Sequence, residues 1–352
     1  MGTETVSKPM SDGSARRGRA ALAWALYLMP LPVLAAALFV GPSSQVRAGH
    51  VWQWLWSAAA GAGLSPDVNE FLVRSVTLNI RLPRALLTFL VGGALGASGA
   101  AMQSVFRNPL VSPYILGLSA AAAFGAALAL ATGWLPVQLA AFAFGLLAVG
   151  MSYFLARSGR SVSVVALVLS GIIVSGFFTA LLTIVQFVAD PFKLQTIVQW
   201  TMGNLHTANW DKVASSGPLI LAGAAGMFLF RWRMNVLAMG DEETRAVGLN
   251  PEREKLNILV PATLAASAAV AAGGVIGLVG LVIPHMVRMM LGPDNSRSIP
   301  ACFTFGGAFL LIVDTCSRAA ASFEIPIGIF TTLIGSPFFI YLLKKSRIGW
   351  NL

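Results

Sequence analysis

Charge is what this sequence has least of. Asp, Glu, Lys and Arg make up 11% of the 352 residues, against about 25% in an ordinary soluble domain. Hydrophobic residues make up 56%, and the mean hydropathy is +0.75. So little polar cover excludes a water-soluble fold, and so much Leu, Val, Phe and Ile excludes a disordered chain. The 35 glycines follow no triplet period, which excludes collagen. Long apolar runs, rather than short alternating ones, point away from a β-barrel. What remains is an all-α, polytopic membrane protein.

Catalytic and nucleotide-binding signatures are missing too. A phosphate-binding P-loop needs a lysine after glycine, and none of the six lysines (8, 193, 212, 255, 344 and 345) follows one. His50, His206 and His285 are scattered, with no His-x-x-x-His or Cys-x-x-Cys spacing, so no metal site is expected. No Gly-x-Ser-x-Gly elbow occurs. The two cysteines, Cys302 and Cys316, stand about 21 Å apart if one helix carries both, too far for a disulfide. Of the 14 acidic residues only Asp314 falls in an apolar run, four before Arg318, where the two can pair on a helix. Ion-coupled carriers usually hold several ionisable groups at mid-membrane. A driving force supplied by another subunit is therefore expected; a secondary transporter is the competing class, and an intramembrane enzyme lacks a catalytic pair.

Ten apolar runs are present, at about 21–40, 84–105, 114–132, 136–156, 164–188, 213–230, 257–273, 274–291, 300–317 and 327–343. No charge occurs between Lys255 and Arg288, and Gly273-Gly274 offers the turn that divides this stretch in two. The first run is longer than the apolar core of a signal peptide, so it reads as a retained helix. The expected organisation is a cytoplasmic tail over 1–20, a ten-helix domain over 21–345 with a cytoplasmic loop at 231–255, and a cytoplasmic tail over 346–352. With both termini inside, 17 basic residues fall on the cytoplasmic side and seven outside: Arg47, Arg74, Arg81, Arg84, Lys193, Lys212 and Arg318. The net charge of +10 is then a topology signal, and no nucleic acid is implied.

Gly92, Gly93, Gly96 and Gly99 share a pattern with Gly273, Gly274, Gly277 and Gly280, offset by 181. Small residues at this spacing let helices approach closely in lipid. Residues 92–130 and 273–311 share 11 identities in 39; an internal duplication and the cheap similarity of Ala/Gly-rich segments both account for this. Three polar groupings stand out. Arg81-Leu82-Pro83-Arg84 places two arginines beside the second run, either snorkelling or forming a cationic dock for acidic groups. The loop around 231–255 holds a short helix at Asp241–Val247, stopped by Gly248 and Pro251, which reads as a charged loop or a docking helix. Arg107-Asn108-Pro109-Leu110 and Ile283–Arg288 put prolines at inner helix ends, as terminators or as a gate. The fifth run carries Ser170, Ser175 and Thr179, which suit a pathway wall or interhelical hydrogen bonds.

Together these residues resemble the FecCD-type (type II) ABC importer permeases, the family of iron-siderophore, haem and cobalamin transport permeases. The matching strings are RLPR at 81–84, GALGASGAAMQSVFRNPLVSPYILGLSAAAAFGA at 93–126, LAMGDEETRAVGL at 237–249, GVIGLVGLVIPHMVR at 274–288 and EIPIGIFTTLIGSPFF at 324–339. The resemblance implies about ten spans, a second permease copy, two cytoplasmic ATP-binding subunits that supply the ATP and Mg chemistry, and an extracytoplasmic substrate-binding protein. It implies no cofactor in this chain and no enzymatic activity of its own. It assigns binding-protein docking to Arg81, Arg84 and Arg318. ATPase coupling falls to Gly240, Asp241, Glu242, Glu243, Arg245, Ala246, Gly248 and Leu249, and a cytoplasmic gate to Asn108 and Pro109. The family's second gate segment corresponds to Ser161 and Ser163, with only those two hydroxyls here. The expected cargo is an iron chelate, a ferric siderophore foremost, crossing the cytoplasmic (inner) membrane, with haem and cobalamin as alternatives.

Overall fold

The computed structural model describes residues 12–41, 45–61, 68–158, 161–320 and 324–346. The expected tails lie largely outside these. The chain begins with α1 (Asp12–Leu28) and α2 (Pro30–Phe39), which together supply a first apolar stretch at Ala20–Phe39. Two short helices follow, α3 (Ala48–Ala60) and α4 (Glu70–Ser75), the latter capped by the Asn69 side chain, which accepts from the Leu72 N–H. α4 continues through a π-turn at Val76–Arg81 into α5 (Leu82–Phe106). Pro83 has no N–H to offer this ladder. Just before it the bonds widen, so that the Leu82 N–H donates to Thr77 O five residues back.

Next come α6 (Leu118–Thr132) and α7 (Val137–Ala156). A small antiparallel hairpin then pairs β1 (Arg157–Ser158) with β2 (Ser161–Val162), Arg157 opposite Val162. It leads into α8 (Val164–Val188) and α9 (Pro191–Thr201); Asp190 caps α9, with Pro191 at the first helical position. α10 (Trp210–Leu229) is capped by Asn209. Two short helices follow, α11 (Arg231–Met239) and α12 (Asp241–Ala246). Asn250 and Pro251 then start α13 (Pro251–Gly273), followed by α14 (Val279–Leu291), α15 (Asn295–Ala320) and α16 (Ile327–Ser346).

Among the described residues seven helical stretches are long and apolar enough to cross a membrane, and Leu118–Thr132, Val279–Leu291 and Ile327–Phe338 are shorter apolar helices. Their order follows the ten runs read from the sequence. The division at Gly273-Gly274 is real: α13 ends there, Gly274 has φ +73°, and the chain stays irregular to Leu278, itself at φ +65°. The corresponding Gly92–Gly99 lies inside unbroken α5. The two similar sequences therefore fold differently, because one packs along its whole length and the other must turn back.

α5 runs through the middle of the bundle, buried along most of its length against α15, α13, α14 and α10. Glycine makes this possible. A methyl group at Gly96 would stand 2.5 Å from Cys302 O of α15, and one at Gly93 would stand 2.8 Å from Phe303 O. On the α15 side, one at Gly307 would stand 2.6 Å from Phe89 O. α8, by contrast, turns Ile172, Ile173, Phe177, Ile184 and Phe187 outward, as a lipid-facing helix does.

Candidate functional site

Polar chemistry concentrates at the two ends of α5, about 35 Å apart by helical rise. At its first end the Arg81–Arg84 pair lies inside a continuous helix, not beside it, and the two side chains go to different partners. Arg81 is buried and donates to carbonyls at the end of α2 and beyond: Leu38 O at 2.9 Å and Val46 O at 2.7 Å. Arg84 donates to Asp314 through Nη2 at 2.9 Å and to both oxygens of Glu324 through Nη1 at 3.0 Å. Asp314, 1% exposed, is shared with Arg318, whose Nε lies 3.1 Å from Oδ2 in an ion pair off the hydrogen-bond line. Arg318 also donates to Val40 O at 3.0 Å. The Asp314–Arg318 pairing expected from their spacing is thus present, and the fold adds Arg84 and Glu324 to it.

This cluster borders a cavity of about 400 Å³ lined by Arg84, Gln199, His206, Asp314, Glu324 and Ile327. Burial holds the His206 imidazole below its ordinary value; Glu324 opposes that shift, and Arg84 and Lys212 add to it. Adjacent lies a second cavity of about 410 Å³ with an apolar wall: Met202, Val275, Gly277, Ile329, Thr332 and Leu333. Gly328 lines the second, its N–H donating to Met202 O at 2.9 Å.

At the other end α5 stops at Arg107, which adopts φ +49° as its C-cap. Asn108 accepts from the Leu110 N–H at 2.9 Å, a tight turn that Pro109 completes. Gln103, one turn back, donates to Val111 O and accepts from Arg288 of α14, so the two proline-bearing segments do meet. α12 is held through Thr244, fully buried, and through Asp241. Asp241 bonds Lys255 at 2.7 Å and Arg107 at 3.4 Å. Lys255 also reaches Glu252 at 3.5 Å, and Glu252 accepts from the Val162 N–H of the hairpin at 3.1 Å. The rest of α12 and its turn, with Glu242, Glu243, Arg245, Ala246 and Gly248, is exposed, and Leu249 closes the turn by donating to Thr244 O. Gly240 precedes it at φ +153° and Gly248 follows at φ +82°.

α11 is tied to the start of α15: Asn235 donates to Asp294 at 2.8 Å and accepts from the Asn295 N–H at 2.7 Å. Burial pushes the Asp294 carboxyl up, but bonds from Asn235 and Ser296, with Arg297 beside it, outweigh that and hold it below the usual range.

The hydroxyls of the fifth run differ in exposure. Ser170 is buried, Ser175 is half-buried and Thr179 is exposed, bonding back to Ser175 O at 2.8 Å. Ser163 precedes α8 and is exposed, while Ser161 sits in β2. Gln103, Glu252, Lys255 and Glu324 are site residues that the sequence reading missed. Glu252 and Lys255 stand three apart on one helix, but the Arg288 partner of Gln103, the Arg84 partner of Glu324 and the Val162 N–H that Glu252 holds are far away in the chain.

The profile of the FecCD transport family matches residues 28–345. The chain belongs to that family. It is 36% identical to a probable iron chelatin transport system permease protein of Helicobacter pylori, over 77% of this chain and 83% of that one. It is 39% identical to a cobalamin import system permease protein of Halobacterium salinarum, over 86% and 82%. A solved structure described as an inward-facing, metal-chelate type ABC transporter superposes with a TM-score of 0.81 at 29% identity, covering 93% of this chain and 99% of that one. This FecCD protein is thus an ABC transporter permease with the type II importer fold, a multi-pass membrane protein.

Proposed function

We propose that this FecCD permease carries a ferric chelate, a siderophore complex foremost, inward across the cytoplasmic membrane, driven by ATP that separate subunits bind with Mg and hydrolyse. The observation that carries this reading is α12, a six-residue helix that presents its charged face to solvent while Asp241 and Thr244 fix it to the bundle. So short a helix is not stable alone, and an exposed docking piece at the end of α5 is what a cytoplasmic motor needs. Two ATP-binding subunits press on Gly240–Leu249, a second permease copy completes the path, and both termini lie in the cytoplasm. The tails over 1–20 and 346–352 flank the ten-helix domain.

The opposite, extracytoplasmic end receives a substrate-binding protein. Arg81 and Arg318 are committed to internal carbonyls and to Asp314, so they shape the rim. Arg84 is the arginine within reach, because its partner Glu324 keeps 37% of its side chain exposed. An acidic group of the binding protein takes Arg84 by exchange with Glu324. Cargo then passes from the charged cavity along the apolar wall of the second one, and the Asn108-Pro109 turn, with Ser161 and Ser163 before α8, forms the inner gate. A path of this kind holds cargo weakly, which favours release. Ser170, Ser175 and Thr179 contribute mild polarity along α8.

The test is uptake into vesicles holding the permease and its ATP-binding subunit, with binding protein outside and ATP inside. Ferric siderophores, ferric citrate, haemin and cobalamin are offered in turn. ATP-dependent uptake of a ferric chelate is expected. Uptake of cobalamin in its place establishes the second reading, which the halobacterial relative favours, and uptake of haemin establishes the third. Transport by the permease alone on an ion gradient would overturn the motor-driven reading.

A further inference from the structure

The charged groups at the inner end of α5 form one continuous chain. Arg107 closes α5, Asp241 opens α12, Lys255 lies in the second turn of α13, and Glu252 one residue into that helix holds the backbone of β2. Lys255 is only 5% exposed, whereas Arg107 is 40% exposed. A buried ammonium is tolerated only when it is paired, so Lys255 holds Asp241 closely, at 2.7 Å, and reaches Glu252 at 3.5 Å. Arg107 holds Asp241 less closely than Lys255 does, at 3.4 Å. Asp241 is therefore the point where three segments meet: the exposed helix α12, the Arg107–Pro109 turn, and the hairpin that leads into α8.

On the permease reading above, we propose that Asp241 is a positioning residue that transmits displacement of α12 along two branches. One branch runs through Arg107 to the end of α5. The other runs through Lys255 and Glu252 to the Val162 N–H, and so to the first turn of α8. Arg107 suits the first branch, because its left-handed conformation makes it a pivot between α5 and the Asn108-Pro109 turn. A push on α12 then moves both inner segments together, whereas Glu242, Glu243 and Arg245 only contact whatever pushes.

Two measurements test this, one with the motor and one without. In vesicles with the ATP-binding subunit, Asp241→Asn and Lys255→Met should each lower uptake per ATP hydrolysed on the order of tenfold. Asp241→Glu should restore most of the ratio. The double variant should be no worse than the poorer single one, because the two residues act as one link. The probe is whichever chelate the wild type carries. In the full-length permease alone, hydrogen exchange should rise at 107–111 and at 161–164 in Asp241→Asn, although neither segment is near residue 241 in the chain. A wild-type uptake-to-hydrolysis ratio in Asp241→Asn, a parallel fall of both rates, or unchanged exchange in those two segments would each overturn the relay. Failure of the wild type to retain any ATP-binding subunit would instead overturn the permease reading, and the exchange measurement would still decide the relay. Asp241→Asn keeps the size of the side chain, so it decides the matter even where Lys255→Met fails to fold.

Discussion

Asp314 sits between two guanidinium groups with 1% of its side chain exposed, and Glu324 touches one of them from the edge of a cavity. Physically these two carboxylates are not equivalent. Removing one partner of a buried pair leaves an uncompensated charge, which costs about 3–5 kcal/mol. A pair open to solvent is worth about 1 kcal/mol or less. Asp314→Asn is therefore expected to lower the thermal midpoint of the detergent-solubilised protein several times more than Glu324→Gln does. Equal shifts would show that Arg84 rests on Glu324 and not on Asp314. The sequence makes half of this arrangement readable. Asp314 and Arg318 stand four apart in an apolar run, and helical geometry alone pairs them. Arg84 joins them across 230 residues of chain, and only the packing of α5 on α15 brings that about.

The α5–α15 contact is a seam of glycines, and its stability depends on having no Cβ atoms there. Gly96 faces a backbone carbonyl that cannot move aside. Gly176 on α8 has nothing near it. Gly96→Ala should cost about 1–3 kcal/mol through overpacking. Gly176→Ala should be neutral or should stabilise by up to about 1 kcal/mol through helix propensity. Thermal unfolding of the two variants side by side checks this, and a neutral Gly96→Ala would mean that the helices can separate at little cost. The glycine spacing shows from sequence that a close approach exists. It does not show that Gly273–Gly280, with the same pattern, ends one helix and starts another. That depends on what lies around it: Gly274 turns at φ +73°, and a Cβ there would run into the Trp200 and Asn204 backbones. The π-turn at Val76–Arg81 was equally hidden. Pro83 announces a disturbed ladder, but it does not say whether the helix kinks, ends or widens.

For the whole molecule, what matters is that the two ends of the bundle offer different chemistry. One end holds a balanced, buried ionic cluster beside a polar cavity; the other offers a charged helix flanked by bare apolar groups, Met239 at 70% exposure and Val247 at 58%. Both apolar residues lie next to the polar face of α12, beyond the span of α10 and before the cap of α13. Lipid does not account for an apolar pair framing three carboxylates and an arginine, since such charges are costly in hydrocarbon. The proposed docking of an ATP-binding subunit does, since it would put Val247 in the dry centre of the contact and Glu242, Glu243 and Arg245 at its rim. Loss of a well-buried anchor costs at least about 2 kcal/mol of binding, roughly 30-fold in affinity. Val247→Asp is thus expected to abolish retention of the ATP-binding subunit through purification. The permease itself should keep its thermal stability within about 0.5 kcal/mol, because an exposed side chain has no packing to lose. If the subunit stays bound to Val247→Asp, the motor grips elsewhere, and α12 is then only a cover over the Asp241–Lys255 link.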